Sequence, residues 1–176
     1  SLVAAKSLEM LMQVRLRINE NDSPSDIIHF AKACIGHTKE SMGKYAYQTS
    51  HYRNLLARQY VRMGDHRGAL RQYKKVYAVQ AEVFEDERFN FKDYDFFDVA
   101  PHSQLLAEMT ECEQQTNQRQ KSMDRYLVEA ERMRKHHRVM LRLLYTLEAR
   151  KIAQALGQET RVRDLQRTIA SIHKAL

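Results

Sequence analysis

Glycine and proline are scarce in this chain: 5 Gly and 2 Pro occur among 176 residues, and tryptophan is missing altogether. A β-rich fold needs a turn about every ten residues, so this scarcity argues against one and favours long helices. The sequence also lacks an apolar run of the roughly 18 residues that a bilayer span needs. Charges are scattered through residues 1–18 instead of preceding an apolar block, as they do in a secretory signal. We therefore expect no membrane partner.

Cysteine is nearly as rare, with Cys34 and Cys112 as the two examples. Neither lies in a CxxC motif or in a Cys/His cluster, and this isolation predicts buried free thiols in a reducing compartment. We expect a cytoplasmic location, with the nucleus as the alternative. Because the sequence begins at Ser1 in helix-like residues without an initiator Met, we also expect it to be a piece of a longer protein.

Charge is distributed in blocks along the chain. Residues 1–84 contain 13 Lys and Arg against 7 Asp and Glu, residues 85–118 contain 2 against 9, and residues 119–176 contain 14 against 6. The net charge of +7 thus comes from two basic blocks that flank an acidic one. This pattern favours two differently charged faces, or neutralisation within the chain, over a continuous nucleic-acid stripe.

Apolar residues recur at helical spacing through most of the chain, which predicts an all-α fold. Turn formers separate the segments, and Ser23-Pro24, Gly64-Asp65 and Gly157 give the clearest boundaries. Short connections between long helices predict antiparallel pairs that share an apolar face. The pattern predicts about eight helices, at about residues 2–18, 24–42, 44–63, 66–84, 101–117, 121–135, 137–156 and 159–176.

The helical period breaks between the fourth and fifth predicted helices. Residues 85–98 are acidic and rich in Phe and Tyr, and Pro101 follows as the expected first residue of the next helix. We expect residues 85–100 to form a loop between helix pairs within a single domain that spans residues 1–176. The aromatic side chains of residues 85–98 would dock on the chain itself; the alternative is that they dock on another protein.

One helix pair, at residues 50–83, has a recognisable pattern of small and large residues. Its first helix supplies a large apolar residue, a small one and an aromatic one; a glycine turn follows, and the second helix supplies a small, an aromatic and an apolar residue. These positions are Leu56, Ala57, Tyr60, Gly64, Ala69, Tyr73 and Val76. The segment resembles a tetratricopeptide repeat over about 34 residues. Ala81 replaces the proline that closes the plain form of the repeat, so the segment is more similar to the longer kinesin-light-chain type.

The resemblance implies a right-handed superhelix of stacked helix pairs, with an irregular helical bundle as the structural alternative. In that family, peptides bind in a concave groove lined by the first helix of each pair. The matching groove positions here are His51, Asn54, Leu55, Arg58 and Arg62. Asn54 and Arg58 lie one turn apart, where the amide could bind a peptide backbone and the guanidinium a carboxylate. The alternative is that all five are ordinary exposed helix residues.

The residues give no indication of catalysis. His136 and His137 are adjacent, so on a helix their side chains would diverge by about 100° and could not chelate one ion together. The other histidines are isolated, and the sequence contains no HExxH, phosphate-binding loop or GxSxG motif. We therefore predict that the chain is not an enzyme and that it holds no metal and no cofactor.

A basic stretch lies at the junction of the sixth and seventh predicted helices and offers a second candidate surface. Its members are Arg132, Arg134, Lys135, Arg138 and Arg142. We expect a protein scaffold that binds a peptide or helix of a partner, which could be acidic, within a larger assembly. Nucleic acid is the less favoured partner, since no module with exposed stacking aromatics accompanies the basic residues. A third alternative is self-association through the C-terminal helix, whose apolar stripe is Val162, Leu165, Ile169 and Ile172.

Overall fold

The computed structural model describes residues 23–43, 47–85 and 96–175, and these residues are helical apart from short turns. They contain seven helices and no strand. The helices are α1 (Pro24–Met42), α2 (Tyr47–Arg62), α3 (His66–Glu85), α4 (Phe96–Gln115), α5 (Arg119–Lys135), α6 (Val139–Ala155) and α7 (Glu159–His173). The all-α prediction is confirmed. The first of the eight predicted helices, at residues 2–18, lies outside the described residues.

The chain divides into two compact units, residues 1–89 and residues 90–176. In the first unit α1 packs on α2 and α2 packs on α3; in the second, each of α4 to α7 packs on its neighbour in sequence. Four consecutive pairs are joined by three residues, a connection short enough to make the two helices antiparallel, as predicted. A single domain spanning both units stays a prediction. None of the described helices has the length and apolar character that a membrane span requires.

The helix ends show why the sequence forms these elements. Ser23 caps α1 by accepting a hydrogen bond from the backbone N–H of Asp26 at 3.3 Å, and Pro24 occupies the first turn. Asp65 caps α3 in the same way, since its Oδ1 accepts from the N–H of Gly68 at 2.7 Å. A Cβ on Gly68 would lie 2.2 Å from Asp65 Oδ2, so a larger residue at this position would require the Asp65 carboxylate to shift.

Four of the interhelical turns have one design. In each, a residue with positive φ follows the helix, and the next residue donates its N–H to the carbonyl five residues back, which is the Schellman motif. The positive-φ residues are Gly64, Asn117, His137 and Gly157, with φ of 76°, 57°, 56° and 68°. The last three recur at intervals of 20 residues, so α5 to α7 follow one another with identical connections.

The start of α4 and the extent of the predicted loop differ most from the prediction, while the other helix ends in the described residues differ by up to three residues. Helix α4 begins at Phe96 and contains Pro101, which we predicted as its first residue. The φ angle of proline is compatible with a helix, but at the sixth residue of α4 Pro101 supplies no N–H to the carbonyl four residues back and its ring crowds that carbonyl. The predicted loop at 85–100 is also shortened, because residue 85 ends α3 and residues 96–100 are helical. The rest of that loop, including most of the predicted docking segment, lies outside the described residues.

Each unit has its own apolar core. In the first unit, the repeat-like positions Leu56, Ala57, Ala69, Tyr73 and Val76 are all buried. Two of them, Ala57 and Ala69, have no exposed surface, which is the expected environment for small residues where two helices approach closely. In the second unit, the core residues include Leu106, Met109, Met133, Tyr145, Ala149, Ile152 and Ile172.

Candidate functional site

The five predicted groove residues lie on α2, spaced so that they share one side of the helix. His51, Arg58 and Arg62 are exposed, while Asn54 and Leu55 are half-buried. Leu55 packs against the buried pair Cys34 and Tyr52 and therefore belongs to the contact between α1 and α2. The other four form the candidate binding face of α2, a name we keep for His51, Asn54, Arg58 and Arg62.

Asn54 occupies the middle of this face. Its carboxamide oxygen is buried and has no hydrogen-bond partner among the residues that the structure describes. A buried polar atom without a partner costs about 1–3 kcal/mol, so native proteins nearly always satisfy such atoms with protein, water or a ligand. The oxygen of Asn54 is thus a buried acceptor for which the described residues supply no donor.

The charges on the candidate binding face are positive. Arg58 lies one helical turn after Asn54, and Arg62 lies one turn after Arg58. The Nη1 of Arg62 donates a hydrogen bond to Gln59 Oε1 at 2.9 Å. A guanidinium presents its N–H donors in a planar fork that matches a carboxylate. Beside them, the His51 ring meets the Tyr52 ring edge-on, with centroids 5.5 Å apart. The face therefore combines one buried acceptor without a described partner with two guanidinium groups on exposed side chains.

Neighbouring side chains hold α2 in place. Lys32 Nζ of α1 lies 6.0 Å from the centre of the Tyr60 ring, within the range of a cation–π contact. On the opposite side, Arg53 Nη1 donates to Gln72 Oε1 of α3 at 3.4 Å. Burial lowers the pKa of Arg53. Arg53 thus links the two helices of the hairpin, while Arg58 and Arg62 are left on the exposed side.

The predicted basic stretch separates into different environments. Arg132 is buried and its guanidinium binds the carboxylate of Glu129, so its charge is neutralised inside the second unit. Arg134 is exposed and donates from Nε to Glu131 at 2.7 Å. Lys135 is exposed as well. Arg138 precedes α6 in the turn, and Arg142 is half-buried on α6. These five residues therefore do not form one continuous cationic surface.

Two buried carboxylates bind polar partners within the second unit. Glu113 of α4 accepts a hydrogen bond from Ser122 Oγ at 2.6 Å and forms an ion pair with Arg125. Both partners lie on α5, so the carboxylate joins the two helices.

The second carboxylate, Glu129 of α5, lies 3.1 Å from His102 Nε2 of α4 and pairs with Arg132. Sequence reasoning missed both groups. For Glu129 a signal was present, because it lies at helical spacing between the apolar residues Tyr126 and Met133.

The apolar stripe of the C-terminal helix is buried in its own unit. Val162, Leu165, Ile169 and Ile172 have at most 7% of their surface exposed, and the last two pack with Leu143 of α6. These four side chains are thus covered within their own unit, and self-association through the C-terminal helix, which stays a prediction, would need other residues of that helix. Hydrophobic periodicity identifies a buried helix face without indicating which surface buries it.

The two cysteines have the environment that was predicted for them. Cys34 and Cys112 are buried free thiols, and burial raises the pKa of each to about 11. A thiol of this kind behaves as a small apolar side chain. In the described part of the chain, no three His, Cys, Asp or Glu residues cluster closely enough to hold a metal ion.

Comparisons with known proteins identify no relative for this arrangement. No model of a known protein family matches the chain, and a search of curated proteins finds no significant match.

Proposed function

We propose that this chain is a non-catalytic protein-interaction module related to tetratricopeptide repeats, and that it binds an extended peptide or a helix of a partner on the α2 face. Its place would be the cytoplasm, in keeping with two buried free thiols. It would act as a scaffold or adaptor within a larger assembly. No metal or cofactor takes part in the proposed function.

The family assignment is supported by the way the α2–α3 hairpin packs. Ala57 and Ala69 are completely buried, Tyr73 is 1% exposed, and Gly64 adopts the left-handed conformation in the turn. Each of these residues does what the repeat pattern requires at its position. Short identical turns between the later helices provide the tandem hairpins that a repeat architecture is built from.

Peptide binding is supported above all by the buried oxygen of Asn54. When the half-buried Asn54 side chain turns towards solvent, a peptide N–H would satisfy this acceptor. Arg58, one turn further along α2, would bind an acidic side chain or a terminal carboxylate of the same peptide. Arg62 extends the positive charge along the same face by another turn. The three side chains thus fit a peptide with an acidic residue close to an accessible main-chain N–H.

A non-catalytic role is supported by how the buried charges are used. Glu113 is bound by Ser122 and Arg125, and Glu129 is bound by Arg132 and lies beside His102. Both carboxylates therefore hold helices together instead of facing a cleft. Groups in a catalytic site are usually partly accessible and placed beside a space for substrate.

The test is affinity capture of partners by the wild-type chain and by an Asn54→Ala/Arg58→Glu/Arg62→Glu variant. A matched control, Arg71→Glu/Lys75→Glu, makes the same change in net charge at two exposed positions of α3. Circular dichroism first establishes that all three proteins are equally helical. The proposal expects proteins that are retained by the wild type and the control and lost from the α2 variant.

Two other results would contradict the proposal. Retention of the same proteins by all three forms would exclude the α2 face as the binding surface. Loss of the retained material on nuclease treatment, together with a steep fall in binding as salt rises, would identify nucleic acid as the partner instead.

A further inference from the structure

A small pocket opens in the second unit where α5, α6 and α7 meet. Its volume is about 220 Å³, and its lining includes Leu127 and Ala130 of α5 and Leu165 of α7. Pockets that hold drug-sized ligands or cofactors typically measure about 300–1,000 Å³. This one has room for roughly seven water molecules at about 30 Å³ each, so it suits one or two side chains of a protein partner.

Two arginines also line this pocket. Arg142 of α6 is half-buried and Arg161 of α7 is exposed. Throughout residues 23–43, 47–85 and 96–175, no carboxylate forms an ion pair with either guanidinium. A carboxylate of a ligand would therefore not have to displace a close ion-pair partner from either side chain.

The pocket also contains two carboxylates, but each already has a partner outside it. Glu131 accepts two hydrogen bonds from Arg134, and these lower the pKa of Glu131, with smaller effects from Lys135 and Arg142. Asp164 lies 3.6 Å from the guanidinium of Arg167. The closest cation to each carboxylate is thus Arg134 or Arg167, and Arg142 and Arg161 are the pocket cations that form no close ion pair, although Arg142 still acts on the charge of Glu131 at longer range.

The combination of apolar walls and unpaired guanidinium groups indicates the chemistry of the occupant. An aliphatic side chain would bury its surface against Leu127 and Leu165, and a carboxylate beside it would bind Arg142 or Arg161. A groove bounded by helices is a common site for an amphipathic partner helix, whose anchoring residues are spaced by three or four. Glu and Leu at i and i+4 lie on one face of such a helix, about 5–6 Å apart.

We propose that the pocket between α5, α6 and α7 is a second docking site, and that it anchors a partner helix through an acidic residue and an aliphatic residue four positions apart. This inference rests on the proposed function of the chain as a protein-interaction module. It adds a site in the second unit with a defined preference. The α2 face would bind main-chain N–H and carboxylate groups, whereas this pocket requires an aliphatic side chain together with a carboxylate.

The test uses the full chain and a fluorescein-labelled, alanine-based helical peptide that carries Glu and Leu at i and i+4. Two control peptides replace either the Glu with Gln or the Leu with Ser. Binding is followed by fluorescence anisotropy and located by NMR on the methyl groups of Thr146 and Thr168, which line the pocket. We expect the Thr methyl signals to shift with the first peptide, and each control peptide to bind at least about tenfold more weakly.

Matched variants of the chain separate this site from general electrostatic attraction. Arg142→Gln and Arg161→Gln each remove one positive charge from the pocket. Each should lower the affinity of the chain for the Glu–Leu peptide by about tenfold. Arg119→Gln and Arg163→Gln remove the same charge from exposed side chains of the second unit that do not line the pocket. These two controls should change the affinity less than about twofold.

The outcomes also distinguish the two proposals. If the peptide binds but the Asn54→Ala/Arg58→Glu/Arg62→Glu variant abolishes binding and the Thr methyl signals do not move, the α2 face is the site and the pocket inference is wrong. If the Glu–Leu peptide does not bind at all, the pocket inference is also wrong, while partner capture on the α2 face is decided separately. If all four arginine variants lower the affinity for the Glu–Leu peptide equally, the peptide binds by nonspecific electrostatic attraction and the pocket inference is wrong.

Discussion

Replacement of His137 by glycine should stabilise the protein. His137 has a φ of 56° in the turn between α5 and α6, and its side chain is exposed. A residue with a Cβ costs roughly 1–2 kcal/mol in this left-handed conformation, and glycine removes that cost. Glycine also increases the entropy of the unfolded chain, and this destabilises the folded protein by about 0.4–1 kcal/mol, which offsets part of the gain. The expected net gain in the free energy of unfolding is therefore about 0.5–1 kcal/mol.

The reverse substitution, Gly157→Ala, provides the matched comparison. Gly157 holds the equivalent place in the turn between α6 and α7, with a φ of 68°, and an added Cβ would meet no atom within 4 Å. The backbone conformation alone is then responsible for the change, and the free energy of unfolding should fall by about 1 kcal/mol. Asn117→Gly should have a smaller effect than His137→Gly, because asparagine tolerates this conformation better.

Urea unfolding followed by circular dichroism measures these changes. For a slope of about 1–3 kcal/mol per molar urea, the midpoint should rise by a few tenths of a molar for His137→Gly and fall by a similar amount for Gly157→Ala, with no change in slope. A lower midpoint for His137→Gly, or an unchanged one for Gly157→Ala, would refute the assignment of these turns to one left-handed design.

Three further changes test the packing and the buried charges. Glu129→Ala leaves the buried Arg132 without its carboxylate and should lower the free energy of unfolding by about 3–5 kcal/mol. The control Glu131→Ala removes an exposed ion pair and should leave the urea midpoint unchanged. Ala57→Leu places a large side chain where none fits and should cost about 1–3 kcal/mol by thermal or urea unfolding. The buried thiols Cys34 and Cys112, with pKa values of about 11, should resist alkylation near pH 8 in the folded protein and react fully in denaturant; rapid reaction of the folded protein would contradict their burial.

The raised thiol pKa also has a consequence for stability at alkaline pH. The unfolded thiols ionise at about pH 8.5, while the folded ones stay protonated up to about pH 11. Unfolding then releases protons between these two values, so the stability present below pH 8.5 is lost as pH rises towards 11. Replacement of Cys34 and Cys112 by alanine should flatten this part of the profile of urea midpoint against pH.

Helix positions could be predicted well from the sequence because their ends carry strong local signals. Ser23 and Pro24 start α1, and the glycines at 43, 64 and 157 adopt the positive φ that ends a helix. The 20-residue recurrence of turns escaped prediction for a physical reason. Asn117, His137 and Gly157 share a backbone conformation but no common side chain, so comparison of residue types does not align them.

The functional surface could be predicted only in part. The resemblance to a repeat placed Asn54 and Arg58 on one face of α2. The burial of the Asn54 oxygen depends on tertiary packing, which the spacing of apolar residues along a helix does not predict. The same limit explains Arg132, which was counted with the surface charges and instead pairs with Glu129 in the interior. Charge alone does not reveal whether a basic residue has a buried acidic partner.

Photo-crosslinking from the α2 face tests the central proposal most directly. A benzoylphenylalanine in place of His51 lies next to Asn54 on that face, and one in place of Lys74 on α3 serves as the exposed control. We predict that a partner protein crosslinks from position 51 and not from position 74, and that Asn54→Ala/Arg58→Glu in the same chain removes the crosslink. Equal crosslinking from both positions, or crosslinks at 51 that persist in that variant, would contradict peptide binding by α2.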